Sequence, residues 1–220
     1  MNTVVGIDGP AGSGKSSVAR KSASELGFQF LDTGAAYRSL AWLTMDRGTD
    51  PANREHVLAA LADFDYEITL ESGSQRVLVN GADVTGDIRT EQVSRAASQV
   101  AVIPEVRRTV NDIFRRLIKT AEPGIVVEGR DITTVVAPDA DVRILLTASE
   151  VVRAERRAAE LGESAEEILR RMRERDTRDR GNSDFLEPAE GVVLVDSSNL
   201  NLPQTVQAVV NLVRGRAPKQ

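Results

Sequence analysis

The chain alternates short apolar runs with longer amphipathic segments. The apolar runs are rich in valine and isoleucine and lie at Val4–Ile7, Phe28–Leu31, Ile125–Val127, Val142–Leu146 and Val192–Val195. Runs of this length, separated by helix-length segments, are typical of buried strands in a parallel sheet that helices cover on both faces. The pattern therefore predicts an α/β fold with a parallel sheet between two layers of helices.

The segments between the apolar runs carry helical periodicity. The predicted helices are Ser17–Leu26, Ala35–Met45, Thr90–Val102, Glu105–Thr120, Ala148–Leu161, Ala165–Arg178 and Thr205–Arg214. No internal repeat and no low-complexity stretch interrupts this arrangement.

One region has a period of two instead. Apolar and polar residues alternate at Tyr66, Ile68 and Leu70 and again at Val77 and Val79, before the tight-turn pair Asn80-Gly81. This alternation predicts a small antiparallel sheet. We place it in an insertion at 63–95, between core segments 1–62 and 96–220. An ordinary edge hairpin is the alternative.

Composition limits the class of protein. The 220 residues suit one domain with a small insertion, and they include no cysteine, which excludes disulfides and thiolate metal sites. A net charge of −5 disfavours a nucleic-acid partner. With no export signal and no membrane-length apolar segment, we expect a cytoplasmic protein without a membrane partner. We expect a monomer, because no heptad seam is evident.

The segment after the first predicted strand matches the phosphate-binding pattern G-x-x-x-x-G-K-[ST]. Its residues are Gly9, Pro10, Ala11, Gly12, Ser13, Gly14, Lys15 and Ser16, and Ser17 continues the nucleotide site. In this pattern, backbone amides and the following helix N-terminus hold phosphate oxygens. Lys15 would contact the β- and γ-phosphates of ATP or GTP, and the Ser16 hydroxyl would bind Mg²⁺.

Two other nucleotide-binding classes are disfavoured. A GTPase would carry an Asn-Lys-x-Asp tetrapeptide that reads guanine, and the sequence has none. The fingerprint G-x-G-x-x-G of dinucleotide-binding dehydrogenases does not follow the first strand.

Polar motifs follow the second and third apolar runs, at the sheet edge where ligands of α/β proteins bind. They are Leu31-Asp32-Thr33-Gly34-Ala35-Ala36-Tyr37-Arg38 and Glu128-Gly129-Arg130-Asp131. We expect Thr33 and Arg38 to face the crevice of the phosphate-binding loop. The alternatives are a helix cap at Asp32 or Thr33 with a solvated arginine, and a surface pair of Arg130 with Asp131.

These motifs, together with Ser98-Gln99-Val100 and Arg107, resemble bacterial cytidylate kinases over nearly the whole chain. The resemblance implies a P-loop kinase fold with a CMP-side insertion and a helical lid. It also implies transfer of the terminal phosphate of ATP, with Mg²⁺, to CMP and dCMP.

The resemblance further assigns roles on the acceptor side. Ser98, Arg107 and Asp131 would read the base, because a carboxylate can accept from the cytosine amine and a guanidinium can donate to the ring. Uracil has a carbonyl oxygen in place of the amine, so UMP would be rejected. Arg38 and Arg130 would hold the acceptor phosphate, and Thr33 and Tyr37 would line the same site.

An arginine-rich segment at about 165–186 predicts a mobile lid over the phosphates. By resemblance, Arg175 and Asp179 contact the acceptor. Relatives have a further arginine where this chain has Asn182, and Arg178 or Arg180 would replace it. The alternative is a solvated helix with i,i+4 pairs such as Glu166–Arg170 and Glu167–Arg171.

The expected reaction needs no general base, since the attacking phosphate oxygen is already anionic. Positioning and charge stabilisation would come from Lys15, Arg130, Arg175 and Asp179. The single histidine, His56, is expected at the surface. Two other functions stay open at this point: a kinase of UMP, AMP or shikimate, and a non-catalytic nucleotide-binding module.

Overall fold

A computed structural model describes residues 2–180 and 187–215. Its regular elements, in chain order, are β1 (Thr3–Asp8), α1 (Lys15–Leu26), β2 (Gln29–Asp32), α2 (Thr33–Asp46), α3 (Arg54–Ala62), β3 (Tyr66–Ile68), β4 (Val77–Val79), β5 (Ala82–Asp83), α4 (Glu91–Val100), α5 (Pro104–Thr120), β6 (Gly124–Gly129), β7 (Val142–Thr147), α6 (Glu150–Leu161), α7 (Ala165–Arg180), β8 (Val193–Asp196) and α8 (Leu202–Arg214). Short turns of 3₁₀ and π helix lie at Asp87–Arg89 and Ile132–Val136.

The main sheet has five strands in the order β2-β6-β1-β7-β8. The central strand β1 runs parallel to β6, with Val5 opposite Val126, and parallel to β7, with Val5 opposite Val142. Helices flank this sheet, so the predicted three-layer α/β fold is confirmed. Because β1 is central and pairs on both sides, its carboxyl end carries the phosphate-binding loop out at the middle of the sheet edge.

Apolar side chains from the sheet and from two helices form the core around β1. Val18, Ala19 and Ala23 of α1 are buried there, as are four valines of α8: Val206, Val209, Val210 and Val213. Helix α8 begins with a reciprocal capping box, in which the Asn201 and Gln204 side chains bond to each other's backbone amides. The cap and the valine face together hold the carboxyl-terminal helix on the sheet.

The second sheet is small and antiparallel, with strand order β3-β4-β5. Val79 pairs with Tyr66 on one side and with Ala82 on the other. The predicted turn at Asn80-Gly81 joins β4 to β5, with positive φ angles of 50° and 78° that suit asparagine and glycine. The predicted antiparallel sheet is therefore present.

The chain divides into two compact units, Met1–Leu31 with Ala121–Gln220 and, as the second unit, Asp32–Thr120. The first holds most of the parallel sheet with α1, α6, α7 and α8; the second holds α2 to α5 and the small sheet. A separate domain at 63–95 stays a prediction. Within residues 2–180 and 187–215, no helix is long and apolar enough to span a bilayer.

Candidate active site

The phosphate-binding loop connects β1 to α1, as predicted. Gly9 has a φ of 154°, and a Cβ atom there would lie 2.0 Å from the backbone oxygen of Leu146. No other residue fits that corner. Gly12 has a φ of 74°, and its Cβ would lie 2.7 Å from the Met172 methyl group. The loop is thus shaped by glycines that allow backbone and side chains of β7 and α7 to approach it closely.

Lys15 and Ser16 begin α1 directly after the loop. The Lys15 ammonium group donates to the carbonyl oxygen of Pro10 at 2.9 Å, so the side chain folds back over the loop. The Ser16 hydroxyl donates to the Glu128 carboxylate at 2.6 Å. Glu128 lies on β6, the strand beside β1, and is buried. The ammonium group and the hydroxyl therefore both lie at the start of α1, directly after the loop, as the sequence motif predicts.

The Ser16 and Glu128 side chains offer adjacent oxygen atoms, and Mg²⁺ prefers oxygen ligands. No group of three or more histidine, cysteine or carboxylate side chains in the described part of the chain could hold a metal ion alone. Mg²⁺ in nucleotide-dependent enzymes is typically held by few protein groups together with phosphates and water. The pair therefore fits a nucleotide-associated Mg²⁺.

The phosphate-binding loop packs against α6 and α7. The buried Arg153 of α6 donates to the carbonyl oxygen of Ala11 at 2.7 Å. Ala11 also packs with Ala154, Ile168 and Met172 in a small apolar cluster. The predicted lid helix α7 is therefore attached to the phosphate-binding loop by apolar contacts at its first half.

The motif Gly129-Arg130-Asp131 follows β6 and lies beside the same loop. Arg130 donates to the carbonyl oxygen of Gly9, and Asp131 is buried. After Asp131 the chain forms a π-helical turn, in which the amides of Val136 and Ala137 bond five residues back. Turns of this kind are frequent at functional sites. The structure thus brings the predicted acceptor residues Arg130 and Asp131 to the donor loop.

Asp8, the last residue of β1, is a buried carboxylate that the sequence motifs did not identify. It accepts from the amides of Ile132 and Thr133, each at 2.8 Å, and from the Thr133 hydroxyl at 2.6 Å. Burial raises the pKa of Asp8, the hydrogen bonds from Thr133 and Ile132 oppose that rise, and the charge of Asp131 adds to it. The only sequence signal was an acidic residue at a strand's carboxyl end.

In the second unit, Asp32 and Arg38 form an ion pair at 2.7 Å, with both side chains largely buried. Asp32 also caps α2 by accepting from the Ala35 amide at 3.2 Å. Burial alone would raise the pKa of Asp32. The Arg38 guanidinium has the opposite effect, to which Arg89 and the Ala35 amide add, and the net result is a lowered pKa. The cap that the sequence offered as an alternative is therefore present, although Arg38 is paired rather than solvated.

The other predicted acceptor residues also belong to the second unit. Thr33 is buried at the start of α2, and the Tyr37 ring meets Phe114 edge-on at 6.3 Å between centroids. Ser98 lies half-buried on α4. Arg107 of α5 donates to the Ala101 carbonyl oxygen at 3.5 Å. Because α2 packs against α4 and α5, these residues share one compact unit, and their joint site with Arg130 and Asp131 stays a prediction.

The predicted lid is helical at Ala165–Arg180. Arg170 pairs with Glu174 at i,i+4 spacing, the type of pair expected for a solvated helix, while Arg171 pairs with Glu163 and Arg173 with Glu150. The Arg175, Arg178, Asp179 and Arg180 side chains, and Asn182, lie outside the described residues. His56 is exposed, as predicted.

Comparison with known proteins identifies the family. The family model for cytidylate kinase matches residues 5–215. A cytidylate kinase of Cutibacterium acnes is 45% identical over 96% of this chain and 95% of its own length. A cytidylate kinase of Thermus thermophilus is 40% identical over 97% of this chain and 100% of its own.

The similarity of this chain to solved structures concerns the fold alone. A gluconokinase from Sinorhizobium meliloti superposes with a TM-score of 0.52 at 15% identity, over 97% of this chain and 92% of its own. The fold, the phosphate-binding loop with its acceptor motif alongside, and the family match over nearly the whole length lead to one conclusion. This chain belongs to the cytidylate kinase family.

Proposed function

We propose that the protein transfers the terminal phosphoryl group of ATP to CMP and dCMP, giving CDP or dCDP and ADP. The observation that carries the proposal is the hydrogen bond from Arg130 to the Gly9 carbonyl oxygen. It joins the arginine of the acceptor motif to the first residue of the ATP-binding loop. A protein that only bound a nucleotide would have no need of a second phosphate-binding arginine at that loop.

The transfer needs no general base, because the attacking oxygen carries no proton to remove. An anionic oxygen of the CMP phosphate attacks the γ-phosphorus of ATP, and the bond from that phosphorus to the β,γ-bridging oxygen breaks. ADP leaves with the electron pair. Lys15, now folded onto Pro10, would move to the β- and γ-phosphates and stabilise the charge there.

The proposal includes Mg²⁺ with ATP. Ser16 would provide a hydroxyl ligand, and Glu128 would orient the ion's water shell, since the two oxygens already lie 2.6 Å apart. When bound, the ion neutralises charge on the phosphates. The protein's own contribution is to fix the Ser16 hydroxyl, at the start of α1, beside the Glu128 carboxylate of β6.

Base selection is proposed for Asp131, with Ser98 and Arg107. Asp131 is buried, so an acceptor base that cannot donate to its carboxylate would forgo a hydrogen bond to a buried acceptor group. Cytosine has the required amine and uracil does not. Arg38 and Arg130 are proposed for the acceptor phosphate, Thr33 and Tyr37 for the surrounding wall, and Arg175 with Asp179 for lid contacts with the acceptor.

The cellular form of the enzyme is also part of the proposal. We propose a cytoplasmic monomer that acts on free nucleotides and requires no nucleic acid, consistent with the net charge of −5 and the absence of cysteine. Sedimentation of the purified chain would test the monomer.

Product analysis tests the proposed reaction. Purified protein is incubated with ATP, Mg²⁺ and CMP, and the nucleotides are separated chromatographically. The proposal predicts CDP and ADP in equal amounts. ADP without CDP would show an ATPase instead, and the absence of any product would favour a binding module.

A further inference from the structure

Asp8 has a buried carboxyl group that belongs neither to the ATP contacts nor to the acceptor contacts proposed above. Its side chain is 3% exposed and ends β1 immediately before the loop residue Gly9. Burying a carboxylate is unfavourable unless hydrogen bonds replace its water. Here three donors from a distant segment replace the water, all from Ile132 and Thr133.

Those donors lie directly after the acceptor motif. Ile132 and Thr133 are the next residues after Arg130 and Asp131, and they begin the π-helical turn. Both backbone amides point to the Asp8 carboxylate, one to each oxygen. The position of that turn is therefore set by a side chain of β1 as well as by the β6 ladder.

A second contact joins the same two segments. Arg130 donates to the Gly9 carbonyl oxygen, next to Asp8 in the chain. Gly9 packs closely against β7, since a Cβ atom added there would lie 2.0 Å from the Leu146 backbone oxygen. Asp8 and Gly9 thus contact the acceptor motif at Arg130 and the chain directly after it at Ile132 and Thr133.

We infer that Asp8 is a positioning residue for the reaction: it fixes the Arg130-Asp131 turn against the phosphate-binding loop and thereby sets selection of the acceptor base. The inference rests on the proposed function, in which Asp131 reads cytosine. It assigns to the donor strand β1 a role in acceptor specificity. A purely structural Asp8 would affect all acceptors alike.

The Asp8→Asn variant removes the negative charge and replaces one of the two hydrogen-bond-accepting oxygens with an NH₂ group. Whichever position the new amide nitrogen takes, it faces the N–H group of Ile132 or of Thr133, so one backbone bond is lost. Thr133→Val removes only the hydroxyl bond of 2.6 Å. Thr134→Val is the matched control, because Thr134 is the next residue of the same turn and is exposed.

The experiment measures kcat/KM for CMP and for UMP with ATP and Mg²⁺, after circular dichroism has shown that each variant is folded. We expect Asp8→Asn to lower the CMP-to-UMP preference about tenfold and Thr133→Val about threefold, as lost buried hydrogen bonds predict. Thr134→Val should keep the wild-type preference. If Asp8→Asn does not fold, the comparison of Thr133→Val with Thr134→Val decides whether the Asp8 hydrogen bonds affect acceptor preference.

Failure of the positioning role and failure of the proposed function would give different results. An active wild type whose folded variants lose CMP and UMP turnover in equal proportion, or lose neither, would overturn the positioning role alone. A wild type without turnover of CMP would refute the proposed function, and the inference with it. A lower preference in Thr133→Val and not in Thr134→Val would support the inference.

Discussion

The Arg38 guanidinium lies 2.7 Å from the Asp32 carboxylate, and the absence of a side chain at Gly34 makes room for the contact. A Cβ atom at Gly34 would lie 2.8 Å from an Arg38 nitrogen and 3.1 Å from an Asp32 oxygen. One turn of α2 therefore combines its helix cap with an arginine proposed for the acceptor phosphate. Since a guanidinium has five N–H donors, Arg38 can keep Asp32 while it binds a phosphate.

Breaking this pair should destabilise the protein. Asp32→Asn removes the buried negative charge that pairs with Arg38, and we expect the free energy of unfolding to fall by about 3 kcal/mol. Urea unfolding measures it. Asp63→Asn is the control, because the Asp63–Arg47 pair is similar at 3.1 Å but the Asp63 side chain is 70% exposed. That variant should change stability by less than about 1 kcal/mol; equal losses would contradict a special role for the buried pair.

The pH dependence of that loss follows from the lowered pKa of Asp32. A carboxyl whose folded-state pKa lies below its ordinary value of 3.8 stabilises the fold above that value, and the contribution is lost as the pH falls through the folded-state pKa. The stability difference between wild type and Asp32→Asn should therefore be largest at neutral pH and narrow in acid. Urea unfolding over a pH series measures it, and a difference that widens in acid would contradict the assignment.

Lys15 should be required for transfer rather than for folding. Lys15→Met removes the ammonium group that would stabilise the γ-phosphate, and we expect kcat to fall on the order of 100-fold to 1,000-fold. Thermal unfolding should change little. Lys21→Met makes the same change at an exposed position of the same helix, and it should keep wild-type turnover. Full activity of Lys15→Met would contradict the assignment.

Ser16 and Glu128 should control the response to Mg²⁺. We expect Ser16→Ala and Glu128→Gln each to raise the half-saturating Mg²⁺ concentration about tenfold, as loss of a metal-orienting group typically does. A Mg²⁺ titration of turnover at fixed ATP measures it. Ser24→Ala removes an exposed hydroxyl farther along α1 and is the control. An unchanged Mg²⁺ requirement in both site variants would place the ion elsewhere.

Sequence predicted best what depends on neighbouring residues. The phosphate-binding loop is a local motif, and the Asn80-Gly81 turn needs positive φ angles at two consecutive positions. Strands of the main sheet were found within about two residues because buried parallel strands are continuous apolar runs. Helix α2 begins two residues earlier than predicted, at Thr33, because the Asp32 side chain caps it.

Sequence could not reveal contacts between distant segments. Asp8 meets Thr133 across 125 positions, and Arg153 meets Ala11 across 142. Neither residue belongs to a motif, and their partners become neighbours only when β6, β1 and β7 align. Helix α3 at Arg54–Ala62 was helix-like in sequence but was not among the predicted helices, since only Val57 and Ala60 are buried and its apolar periodicity is weak.

One comparison of acceptors decides whether the buried Asp131 carboxylate selects the base. A coupled assay of ADP release would compare CMP, dCMP, UMP and AMP as acceptors for the wild type and for Asp131→Ala. We expect fast turnover of CMP and dCMP by the wild type, and loss of the preference over UMP in the variant. Equal or faster turnover of UMP or AMP by the wild type, or an unchanged preference in Asp131→Ala, would contradict it.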